Sequence, residues 1–175
     1  MRRMLLAAAI ALLGFAGSAF AQGTIVRWND VVGLQGHEEG TPNRMVGDMI
    51  PFPYWIWVAG GKVMLNLDTG EVHIQIRNVS WAQNIPGGPL GAVLGGYPFD
   101  RRGTFVCDAR GANGGPEQTQ TEVMYLDKTG SVNYQGTVDV LQICRDYPDQ
   151  IAFVFGGGRT RYFAYGVARE VIGPE

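Results

Sequence analysis

The apolar positions of this chain alternate. In Lys62-Val63-Met64-Leu65-Asn66-Leu67, the side chains of Val63, Leu65 and Leu67 share one side of an extended backbone. In Glu71-Val72-His73-Ile74-Gln75-Ile76-Arg77, Val72, Ile74 and Ile76 do the same, and Glu71, His73, Gln75 and Arg77 fill the other side. A period of two sends successive side chains to opposite faces of a strand, so each segment predicts a half-buried β-strand. Asp68-Thr69-Gly70 joins them: glycine tolerates positive φ and aspartate bonds the turn's own backbone, so the pair predicts a hairpin. A later segment has the same skeleton. Val123-Met124-Tyr125-Leu126 leads through Asp127-Lys128-Thr129-Gly130 to Ser131-Val132-Asn133-Tyr134, which predicts a second hairpin from the same turn chemistry or an internal duplication.

Further strands are predicted at 24–34, 54–58, 103–109, 136–141, 151–155 and 160–168, with Gly156-Gly157-Gly158 turning between the last two. Loops are predicted at 35–53, 84–102, 111–118 and 143–150. No stretch beyond the N-terminal segment carries apolar residues at helical spacing. The expected fold is all-β: a single antiparallel β-sandwich or small β-barrel built from hairpins. Composition agrees. The chain has 175 residues, of which 26 are glycine and 9 proline, and is 46% hydrophobic but only 17% charged. Those values exclude a disordered chain and a long helical rod. No linker or break in composition appears, so residues 22–175 are read as one domain.

The first 21 residues follow a different logic. Arg2 and Arg3 precede a continuous apolar run from Leu5 to Phe15, and Ala19-Phe20-Ala21 supplies a small-x-small cleavage pattern. This is the layout of a secretory signal peptide, cut after Ala21. The run is too short for a bilayer-spanning helix, which needs ~20 residues, so no membrane span is expected in the mature chain. The expected location is secreted or periplasmic. Two cysteines exported to an oxidising compartment are expected to pair, here Cys107 with Cys144.

A net charge of -2 offers no cationic surface for nucleic acid, which is excluded as a main partner. The chain has two histidines. His37-Glu38-Glu39 places an imidazole beside two carboxylates, the chemistry of a general acid/base pair. His73 and Arg77 lie on the polar face of one predicted strand. No second cluster has metal-ligand spacing, so neither metal nor other cofactor is expected. Asp68-Thr69-Gly70 matches the aspartic-protease tripeptide, but Glu71 replaces the small residue of that family and the period puts Asp68 at a hairpin tip. Asp108, Asn113 and Glu117 carry oxygens in a glycine-rich segment of the sort calcium tolerates, without the EF-hand spacing, and are read as a polar loop. The aromatic run Tyr54-Trp55-Ile56-Trp57 sets Trp55 and Trp57 on one strand face, a platform for sugar rings or a partner protein. The span 61–79 resembles the hairpin of chordin-type repeat domains, extracellular β-modules. The paired histidines of those domains are missing, and the resemblance assigns no role to any residue.

The expected function is that of an exported, non-catalytic binding or structural β-module. Trp55, Trp57, His73 and Arg77 are its binding candidates, and a saccharide or an envelope protein is the expected partner. Two alternatives stand beside it: a small secreted hydrolase using His37, Glu38 and Glu39, and a barrel carrier of a small apolar ligand.

Overall fold

The computed structural model describes residues 23–34, 46–51, 57–81, 100–157 and 161–173. Residues 1–21 lie outside that set. The strands are β1 (Ile25–Gly33), β2 (Ile50–Pro51), β3 (Trp57–Asn66), β4 (Glu71–Trp81), β5 (Arg101–Cys107), β6 (Glu117–Gln120), β7 (Val132–Thr137), β8 (Ala152–Gly157), β9 (Arg161–Tyr162) and β10 (Ala164–Ile172). A short helix, α1 (Gln142–Asp146), and a 3-10 turn, Pro148–Gln150, lie between β7 and β8. Eight strands form one antiparallel sheet in the order β6-β5-β8-β10-β1-β3-β4-β7, and β2 and β9 form a small parallel pair. The all-β expectation holds, on its barrel side: one sheet curls upon itself.

The curl shows in the contacts inside it. The Trp28 ring on β1 lies tilted at 5.7 Å from Phe105 of β5 and at 5.8 Å from Phe153 of β8, and those two rings lie 5.4 Å apart. β5 and β1 are not neighbours in the sheet, so only curvature brings their side chains together. Ile74 of β4 reaches further still, and its Cδ1 lies 2.6 Å from where a Cβ on Gly103 of β5 would stand. Glycine at 103 is thus the recess that lets the two flanks approach. Val26, Val63, Leu65, Val72, Ile74 and Ile76 are fully buried around this ring cluster. These are the inward positions that alternation predicts for β1, β3 and β4.

The β3–β4 hairpin forms as predicted, in register from Leu65↔Val72 to Gly61↔Ile76. Gly70 takes φ +73°. The side chain that holds the turn is Asn66, whose Oδ1 accepts the N–H of Asp68 at 2.9 Å and of Thr69 at 3.1 Å. Asp68 instead accepts the Thr24 N–H at 2.8 Å and ties the hairpin tip to the chain entering β1. The second predicted hairpin is not one. Its turn has the same chemistry, with Gly130 at φ +74° and Asp127 Oδ1 accepting the Thr129 and Ser131 N–H groups. The Val123–Leu126 stretch, however, makes only an isolated bridge, Arg101↔Met124, and β7 pairs with β4. The likeness between the two segments is one of turn chemistry.

Among the described residues, two connections close the curl where strand pairing does not. Residues 121–131 cross from one flank to the other. At the β5 end, Thr121 and Gly103 exchange hydrogen bonds and the Met124 N–H donates to the Arg101 carbonyl at 2.8 Å. At the β4 end, the Val79 N–H donates to the Gly130 carbonyl at 2.9 Å. Met124 and Leu126 are buried beneath this strap. The second connection follows β7. The Val138 N–H donates to the Gly70 carbonyl, and Arg145 Nε donates to the Leu67 carbonyl at 2.9 Å, which fixes α1 to the β3–β4 tip. On the far side, Cys144 of α1 is disulfide-bonded to Cys107 of β5, with Cα atoms 4.9 Å apart. The predicted pairing of Cys107 and Cys144 is present, and it fastens the second strap.

The disulfide closes a sequence separation of 37 residues. Replacing both cysteines by serine is expected to cost about 4 kcal/mol by the chain-entropy relation, which corresponds to a fall in Tm of roughly 8–16 °C, read by urea and thermal unfolding. A loss below about 1 kcal/mol would mean that hydrogen bonds alone hold the second strap. Phe153→Ala should cost ~3–5 kcal/mol, because it opens a cavity in the ring cluster.

Candidate functional site

β4 presents its polar residues outward, as its alternation requires. His73 Nε2 lies 3.3 Å from Glu71 Oε1, so the imidazole pairs along its own strand. Across the ladders His73 faces Met64 and Gln135, and Gln75 faces Lys62 and Asn133. Arg77 sits two pairs further on, about 13 Å from His73 at ~3.3 Å per residue. The structure therefore places His73 and Arg77 on one face but not in one site.

The sheet changes at Arg77. β4 and β7 stay paired only as far as Ile76↔Val132. Asn78 then adopts φ +58° and shifts the register against β3, a β-bulge that sets both Arg77 and Asn78 in solvent and returns Val79 to the core. The freed backbone turns to the strap: the Asn78 N–H donates to Ser131 Oγ at 3.4 Å and the Val79 N–H to the Gly130 carbonyl. Beside this bulge is an open hollow of about 210 Å³ lined by Gln75, Ile76, Arg77, Asp127, Ser131, Val132 and Asn133. Asp127 is held rigidly there. Its Oδ1 accepts the Thr129 hydroxyl at 2.6 Å, the Thr129 N–H at 2.8 Å and the Ser131 N–H at 2.9 Å. The Thr129 hydroxyl first, with the Ser131 N–H after it, holds the carboxyl below its ordinary pKa. Sequence reasoning missed Asp127, Gln75 and Asn133 as members of a site. The available signal was the spacing Ile76–Val79, three residues where alternation demands two, which marks a bulge.

The other candidates stand elsewhere. Trp57 opens β3 and pairs in register with Trp81, with the side chains of both outside the described residues. Trp55, His37, Glu38 and Glu39 also lie outside them. Among the described residues, no group of three or more His, Cys, Asp or Glu side chains could hold a metal ion. Arg101, within the predicted loop 84–102, instead begins β5 as a buried cation 5.5 Å from the Phe163 ring centre, and burial lowers its pKa to about 10, against the opposing pull of Asp100. It keeps its charge at neutral pH.

The Asp108 loop is an anion nest. Asp108 is buried at φ +47°. Its carboxylate accepts the N–H groups of Ala112 at 2.9 Å, Asn113 at 2.7 Å and Gly115 at 3.3 Å, and the Asn113 side-chain amide at 3.3 Å. Both oxygens meet donors, and Glu117 stands apart opposite Cys107 in β6. The arrangement satisfies a carboxylate within its own loop, as the polar-loop reading of this segment requires.

No family model, curated protein or solved structure matches this chain.

Burial pushes the Asp108 pKa up, and the four hydrogen bonds outweigh it and leave the carboxyl below its ordinary value of 3.8. A depressed folded pKa contributes stability that is present above the unfolded value and is lost as pH falls through the folded one. The Ala112, Asn113 and Gly115 amide resonances should accordingly hold their positions from about pH 7 to about pH 5 and move together only in stronger acid. In Asp108→Asn the charge-assisted bonds are missing already at neutral pH, and the same amides should exchange faster with solvent. Unchanged exchange in that variant would contradict the nest.

Proposed function

We propose that this chain is an exported, non-catalytic β-module that engages its partner, a saccharide or an envelope protein, on the outer surface of the barrel. The observation that carries this reading is the ring cluster packed through the centre of the curl. Trp28, Phe105 and Phe153 meet ring to ring across the barrel, with Ile74 filling the recess at Gly103, so at that level the core leaves no room for a guest. A lipocalin-like carrier needs an interior cavity in place of such packing. Export is supported by the Cys107–Cys144 bond, which persists in oxidising compartments, and by the signal-like residues 1–21. Among the described residues, no helix is long and apolar enough to cross a membrane.

The natural product should begin at Gln22 on N-terminal sequencing, in the fraction outside the cytoplasm; an intact Met1 in the cytosol would refute export. In a thermal-shift panel of the purified mature protein, oligosaccharides or envelope proteins should raise Tm, and fatty acids should not. Capture of a fatty acid that quenches Trp28 fluorescence would overturn the surface reading in favour of a carrier.

A further inference from the structure

The hollow beside the Asn78 bulge combines features that ordinary strand surfaces lack. Among the described residues, the guanidinium of Arg77 and the side-chain amides of Gln75 and Asn133 have no hydrogen bond or ion pair, although all three border the same hollow. Arg77 and Asp127 line it with opposite charges and do not close an ion pair within 4.0 Å. Asp127 spends one carboxylate oxygen on its own turn, and its Oδ2 remains as an acceptor fixed in place. Ile76 and Val132, cross-strand partners whose side chains face the core, form the floor of the hollow. The bulge at Asn78, with φ +58°, follows Arg77 directly, and the β4–β7 ladder ends at the edge of the hollow.

We propose that this hollow is a subsite for one carboxylate-bearing sugar unit of a larger glycan. The proposal rests on the surface-binding reading given above and specifies its ligand. Arg77 presents the planar donor fork that matches a carboxylate. Gln75 and Asn133 each offer a donor and an acceptor, which suits ring hydroxyls, and Asp127 Oδ2 accepts one more hydroxyl proton. A volume of about 210 Å³ suits a single pyranose and falls below the ~300–1,000 Å³ of sites that engulf a whole small molecule. Because the hollow is open, a free metabolite would stay largely solvated in it, whereas one unit of a chain passes through it and continues over neighbouring surface.

The test is NMR titration of the isotope-labelled mature protein with oligogalacturonate, and with the same oligomer after its carboxyls have been reduced to alcohols. The side-chain NH₂ resonances of Gln75 and Asn133 should shift with the acidic oligomer. Arg77→Gln should weaken that binding about tenfold or more, the effect of losing a charged hydrogen bond, and Asn133→Ala by about two- to tenfold. Arg27→Gln, two strands away on β1, should change it less than about twofold and controls for general charge. Because Arg77 is exposed, its replacement should leave Tm within about 1 °C. Equal binding of the reduced oligomer, or indifference to Arg77→Gln, would overturn the acidic-sugar subsite and leave surface recognition standing. Absence of binding, or a preference for a free amino acid that pairs its ammonium with Asp127 and its carboxylate with Arg77, would overturn it as well. Surface recognition itself is decided by the separate ligand panel.

Discussion

The structure depends on one constraint: an eight-stranded sheet curls until its flanks meet, and among the described residues no last ladder closes it into a barrel. Hydrogen bonds between strands hold neighbours only. Among the described residues, β4 and β5 are held together by side-chain packing through the centre, above all Ile74 in the recess of Gly103, and by two chain segments that cross the gap. Trp28 supplies the mass that fills the space between them. Burying large apolar rings favours the curved sheet over a flat one, because a flat sheet would leave one face of the rings in water.

The covalent bond stands where the polar connection is weakest. The 121–131 strap carries two backbone hydrogen bonds at its β5 end, a third from Gly103 to the Thr121 hydroxyl, and the buried apolar side chains of Met124 and Leu126. The 138–150 segment holds the β3–β4 tip through Val138 and Arg145, and at β5 it has the Ala109–Gln150 hydrogen bond and the disulfide. Helix α1 is one turn and a half long and has no side-chain N-cap, so its own hydrogen bonds could not hold it in place. Cys144 and Arg145, adjacent in sequence, reach opposite flanks, and that is why so short a helix occurs there.

How much of this was legible in the sequence follows from which faces are buried. β3 and β4 were readable because each has one dry and one wet face, and alternation records the difference. The predicted loop 111–118 takes in the first half of β6 and no strand is predicted over the rest, since Glu117-Gln118-Thr119-Gln120 is polar on both faces, as an edge strand can be. Helix α1 is too short to show a period. The Val123–Leu126 run looked like a strand, yet it crosses between flanks, with Met124 and Leu126 inward and Tyr125 exposed at 69%. The hollow was legible only in part. Arg77 could be placed on an outer face, but its companions Asp127 and Asn133 come from a turn and a strand whose true partner, β4, the sequence reading had already paired in its own hairpin. Long-range pairing leaves no local trace, and the site is made of long-range pairing.

The two crossings also determine how the molecule can deform. In a closed barrel, any opening must break a ladder along its whole length. Among the described residues the curl behaves as a split ring fastened by clasps, so its seam can loosen at one of them while every strand keeps its neighbours. The hollow at Asn78 lies where one clasp meets the sheet, and matter held there would rest on both the ring and its fastening.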